Sequence, residues 1–111
     1  MSTPDLFRRL ALALPGAAEG AHMGHADFRA NGRIFATLGS PDAEHGMVQL
    51  PPEEQAMRME AEPHVFRPAP GAWGRSGSTC VRLAAADEAT LAGALACAHA
   101  AALAKPKGRS R

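Results

Sequence analysis

A chain of 111 residues has room for one domain, and 12 Lys and Arg against 11 Asp and Glu give a formal charge of +1, which excludes a protein that grips polyanions through bulk charge. Leu, Ile, Val and Phe together number 18 while Ala alone numbers 25, so the expected core is thin, because Ala packs helices closely but buries little area per residue. No apolar run reaches the roughly 20 residues that span a bilayer, and the first residues lack the basic, apolar, then small pattern of a secretory leader, so the expected location is the cytoplasm, with no membrane association.

Thr3-Pro4-Asp5 predicts a helix start, with Leu6, Leu10 and Leu14 as an apolar stripe, Phe7 beside it, and Pro15-Gly16 as the stop. Two short strands are predicted from Asp27 to Ala30 and from Arg33 to Leu38. Asn31-Gly32 joins them, a pair that accepts the positive φ of a type I′ hairpin turn. After a polar loop over residues 39–46, Met47 to Leu50 reads as a third strand. Pro51-Pro52-Glu53-Glu54 then opens a second helix that closes at Glu62-Pro63. Val65 and Phe66 read as a brief strand, residues 68–78 as a Pro- and Gly-rich loop, and Thr79 to Leu83 alternates as a half-buried strand does. Asp87 caps a third helix that carries Leu91, Leu95, Ala98 and Ala102 on one face and runs to Lys105-Pro106. The order α-β-β-β-α-β-β-α predicts a two-layer α+β domain over residues 1–104, an antiparallel sheet with helices on one face. Residues 105–111 carry four positive charges and no apolar side chain, and are expected to be a disordered basic tail.

No enzymatic constellation assembles from this pattern. Cys97 and His99 lie two apart on a predicted helix and face different ways, and both Cys80 and Cys97 read as reduced, core-like thiols. His22 and His25 form a lone HxxH in a loop, short of the three or four ligands a metal needs, so neither a metal nor another cofactor is expected. The glycine-rich run from Gly71 to Ser78 lacks the Lys-Ser/Thr ending of a phosphate loop and precedes a strand rather than a helix. It reads as an Ω-like loop with Trp73 folded back on the sheet. Arg29 and Arg33 flank the Asn31-Gly32 turn, so their guanidinium groups are candidates to project from its tip, whereas Arg67, Arg75 and Arg82 flank the second, irregular hairpin. The competing interpretation is that each arginine is a solvated surface residue or pairs with an acid such as Asp27 or Glu62.

Several motifs stand in a fixed order: Leu14-Pro15-Gly16 followed by Glu19, then Gly24-His25-Ala26-Asp27-Phe28-Arg29, then Asn31-Gly32-Arg33-Ile34-Phe35-Ala36-Thr37-Leu38. Val48-Gln49-Leu50-Pro51 comes next, and Gly71-Ala72-Trp73-Gly74 with Gly77 and Thr79 completes the series. Together, over residues 6–103, they resemble the MmcQ/YjbR-like family. Gln49 stands where members often carry Lys, Ala26 where they often carry Pro, and Ser78 where an aromatic is often seen. The resemblance implies a double-wing α+β fold, similar in layout to secretion chaperones and frataxin-like domains, and a non-enzymatic module of a family commonly labelled DNA-binding. The wings it implies are the hairpin bearing Arg29 and Arg33 and the region from Trp73 to Arg82; with Arg67 and Arg75, the arginines of these wings are expected to make weak, mainly sequence-nonspecific contact with the DNA backbone. Two other functions fit the pattern: a protein-interaction or chaperone-like module, including a homodimer, and a small-ligand site around Trp73, Glu19 and His64.

Overall fold

Thr3 caps the first helix by accepting a hydrogen bond from the Leu6 amide, Pro4 supplies the fixed φ of its first turn, and α1 runs over Pro4–Leu12. It opens a computed structural model that describes residues 1–106. The buried centre of α1 is Phe7 and Ala11, and the expected stripe of Leu6, Leu10 and Leu14 flanks that centre half-buried. Ser2 ties down the chain start: its hydroxyl donates to the Ala86 carbonyl at 2.8 Å, and its amide to Leu83.

Six strands follow: β1 Ala18–His22, β2 His25–Ala30, β3 Arg33–Leu38, β4 His45–Gln49, β5 Phe66–Pro68 and β6 Ser78–Arg82. They form one antiparallel sheet in the order β1-β2-β3-β4-β6-β5. Helices α2 (Pro52–Ala61) and α4 (Glu88–Ala104) occupy the expected places, and Asp87 caps α4 by accepting from the Thr90 amide at 2.7 Å. The α+β class holds, but the order is richer than the sequence predicts. Strand β1 precedes the expected first strand, a single-turn helix α3 (Gly71–Arg75) replaces part of the expected Ω-like loop, and a 3₁₀ turn covers Leu83–Ala85.

Strand register sorts the side chains into two faces, since directly paired residues point the same way and neighbours alternate. Phe28, Ala36, Val48 and Thr79 form one buried row, and Leu38, Gly46, Val81 and Phe66 a second. Helix α4 crosses this face over β2, β3 and β4, presenting Leu91, Ala94, Leu95, Ala98, His99 and Ala102, and α1 packs beside it. Gly46 is glycine because a Cβ there would overlap the Phe7 ring, which also meets the Phe28 ring at 5.8 Å between centroids. Register slips by one residue opposite Phe28 and Arg29, and the extra β3 residue, Phe35, is fully buried with its ring edge-on to His99. His99 donates from Nε2 to the Pro15 carbonyl at 2.7 Å, closing the end of α1 onto α4.

Candidate binding face of the sheet

The opposite face of the sheet carries the row Gly20, Asp27, Thr37, Met47, Cys80 and Arg67, one residue from each strand, with the pairs His45–Arg82 and Gln49–Ser78 on either side. Two open depressions shape it. One, of about 270 Å³, is lined by His45, Pro63, His64, Val65, Arg67, Cys80 and Arg82. The other, of about 230 Å³, is lined by His22, Ile34, Thr37, Ser40, Met47, Gln49, Trp73 and Ser78. They adjoin where Met47 faces Cys80 across the β4–β6 ladder.

The first depression is cationic. Arg67 comes from β5 and Arg82 from β6, both exposed, and neither makes an ion pair among the described residues. No carboxylate lines it. The nearby Asp42 accepts from His45 Nδ1 at 2.7 Å and from the Glu44 amide, and these bonds hold its carboxyl below the ordinary range, with the charge of Arg67 helping. Cys80 lies at the wall of this depression as a free thiol. Burial pushes its pKa up, against the opposing pull of Arg67, which keeps it in the unreactive protonated form. Cys97 is likewise free, half-buried on α4, and burial raises it too.

The other end of the face holds a buried carboxylate, Asp27, for which the sequence predicts no more than an ion pair with an arginine. Asp27, with a fully buried side chain, accepts from Arg29 Nε at 2.8 Å, from Arg29 Nη2 at 3.0 Å and from His22 Nδ1 at 2.7 Å. The hydrogen bonds from Arg29 are the main reason that its pKa is lowered, and they outweigh the opposing effect of burial. Asp27 accepts the Nδ1 proton of His22, and His22 is one of the residues lining the second depression. Strand β1, which supplies His22, escapes sequence reading because Ala18-Glu19-Gly20-Ala21-His22 holds no β-branched or aromatic residue. Its turn also uses Met23, at φ 50°, beside Gly24.

The arginines expected to project from the first wing do not project. Asn31 and Gly32 adopt the positive φ that the turn requires, but the tip is docked on the end of α4. Asn31 Nδ2 donates to the carbonyls of Ala102 (3.0 Å) and Lys105 (2.8 Å), and Arg33 Nε donates to that of Pro106 (3.0 Å). Arg29 is folded back on Asp27. Lys105 and Pro106 thus form a seam with the hairpin rather than the start of a free tail, and residues 107–111 lie outside the described ones. Arg75 sits apart on α3, beside Gln55 and Pro68.

Trp73 is not folded into the sheet but stands 71% exposed on α3, along the second depression. Gln55 positions its helix: the buried Nε2 amide lies 2.9 Å from the Gly74 carbonyl, 3.1 Å from Thr79 Oγ1 and 3.3 Å from the Ser78 carbonyl, joining α2 to α3 and β6. Gly77, at φ 110°, lets the chain turn from α3 into β6 against the Leu50 carbonyl, where a Cβ has no room. Glu19 accepts from Arg8 Nε at 3.0 Å at the edge of the sheet, and His64 lies in the cationic depression, so Trp73, Glu19 and His64 do not converge on one ligand. Among the described residues, no three His, Cys, Asp or Glu side chains are placed to hold a metal ion.

These features define a small α+β domain with helices packed on one face of its sheet and two adjoining depressions on the other. The chain belongs to the YjbR family, whose model matches residues 12–100. It is similar in fold to the crystal structure of the Deinococcus radiodurans protein DR2400, which carries a DUF419 domain, with a TM-score of 0.78 at 18% identity over 95% of this chain and 81% of that one. No curated protein matches it in sequence. No helix among the described residues is long and apolar enough to cross a membrane.

Proposed function

We propose that this YjbR-family chain is a binding module that contacts the phosphate backbone of nucleic acid through the cationic end of its sheet. The observation that carries this reading is the convergence of Arg67 and Arg82, with His45 and His64, on one open cleft that no carboxylate lines. Arg29 and Arg33, the arginines of the first wing, are engaged within the chain and contribute little. Two free guanidinium groups make a weak, sequence-tolerant contact, with an expected slope of log K against log salt of about −2 on duplex DNA. Fluorescence anisotropy of labelled random-sequence DNA tests this. The R67A/R82A double variant is expected to bind at least about tenfold more weakly and to flatten the slope. R29A/R33A should retain the affinity of the parent. The reverse pattern would return the site to the first wing.

A second reading rests on a different observation. Strand β1 is an edge of the sheet, with largely exposed residues and Glu19 as its one carboxylate, so a strand from a protein partner or a second copy has a backbone ladder to extend. Sedimentation of the protein across a concentration series distinguishes a self-associating edge from a monomer.

A further inference from the structure

We infer that the depression beneath Trp73 takes a nucleobase from a single-stranded nucleic acid, stacked on the indole, while the adjoining phosphates lie over Arg67 and Arg82. This deepens the proposed function and rests on it. Trp73 is the largest side chain on this face, yet it is left 71% exposed, on a helix that Gln55 fixes to β6 and that Ser76 closes by donating from its hydroxyl to the Ala72 carbonyl at 2.9 Å. A solvent-facing indole carried on an anchored helix is a platform on which unpaired bases stack, and such stacking tolerates any sequence because every base has a π-face.

The surroundings match the two chemistries of a nucleotide. Ile34 and Met47 give the depression an apolar floor, and Thr37, Gln49, Ser78 and His22 place donors and acceptors at its rim, where a base edge would lie. One strand pair away, across Met47–Cys80, begins the arginine cleft. Directly opposed side chains in an antiparallel ladder stand only about 5 Å apart at Cβ, so a base on Trp73 and the phosphate of a neighbouring nucleotide fall within one continuous surface. Charge also selects an anionic occupant. Asp27 is engaged by Arg29 and His22, and no carboxylate lines the arginine cleft. Asp42, which feels the charge of Arg67, makes its hydrogen bonds to His45 and the Glu44 amide, so Arg67 and Arg82 form no ion pair among the described residues although the chain as a whole is near neutral. A duplex, its bases already stacked and paired, satisfies the arginines but not the indole.

Trp73 is the only Trp in a chain without Tyr, so its fluorescence reads this site alone. The intact protein is titrated with an oligothymidylate of about 12 nucleotides, within the site size of a small single-strand-binding domain, with a duplex of equal length, and with polyglutamate. Anisotropy of labelled forms of the two nucleic acids runs in parallel. The expected result is saturable quenching by the single strand, with the same midpoint as its anisotropy, and weaker binding with little quenching by the duplex. W73A should lower single-strand affinity about tenfold, and W73F should restore most of it. Binding of the single strand with unchanged Trp fluorescence, and with W73A equal to the parent, would overturn the stacking inference and leave the phosphate cleft standing. No binding of either nucleic acid would remove both. Equal quenching by polyglutamate would overturn base recognition in favour of a general polyanion surface.

Discussion

At the scale of single residues, the most informative group is Asp27. A carboxylate with no exposed side-chain surface persists because three donor nitrogens, two from Arg29 and one from His22, replace the water it has lost. This arrangement takes Arg29 out of contention as a phosphate contact and gives His22 a fixed orientation, so one buried acid decides the role of two neighbours. Its folded-state pKa lies below the ordinary 3.8, so its contribution to stability is fully present above that value and is lost as pH falls through it toward the folded value. D27N should therefore cost about 1–2 kcal/mol at pH 7, as expected for weakened hydrogen bonds to charged groups, and the gap to the parent should close on acidification toward pH 3. Urea denaturation at several pH values measures this, and a gap that does not change with pH would refute the account of Asp27.

At the scale of elements, the short helix α3 is held by tertiary contact rather than by propensity. Two of its five residues are glycine, which is unfavourable for a helix, and its neighbours read as a turn-rich loop. What makes it helical is nonlocal: Gln55, from α2, supplies an amide to the Gly74 carbonyl and to β6. Sequence reading correctly finds α1, α2 and α4, because Thr3, Pro4, Pro52 and Asp87 are local start signals, and it finds β2 and β3 through Asn31-Gly32. It misses β1 and α3, whose residues carry no local preference for the structure they adopt. Q55L keeps the volume but removes the amide, and should cost about 1–3 kcal/mol by stranding buried acceptors. It should also speed hydrogen exchange at the Ser76 and Gly77 amides, which close the turn onto Ala72 and Gly74. Unchanged exchange at these two amides would show that α3 stands without Gln55.

At the scale of the whole molecule, the sheet divides the labour. One face takes the four Phe rings and the Ala-rich surface of α4, and the other keeps the polar and cationic side chains and the exposed Trp73. Arg67, Arg82, Trp73 and His64 can be singled out in the sequence by residue type. That Arg67 and Arg82 share a cleft with His45, while Trp73 shares a depression with Gln49 and Ser78, depends on the β4–β6–β5 register, whose β4–β6 pairs join residues distant in sequence, such as His45 with Arg82 and Gln49 with Ser78. The docking of the hairpin tip on α4 is equally nonlocal, through Asn31 and Arg33, and it moves the expected contact surface away from the first wing. The face of the sheet away from α1 and α4, with Trp73 of α3 beside it, is the proposed binding surface. This assignment is tested most directly by following the backbone amide resonances of the ¹⁵N-labelled protein as an oligonucleotide is added. The account predicts shifts concentrated at Thr37, Met47, Gln49, Arg67, Trp73, Ser78, Cys80 and Arg82, with α4 and the Asn31-Gly32 tip unmoved. Shifts confined to that tip and the end of α4 would contradict it.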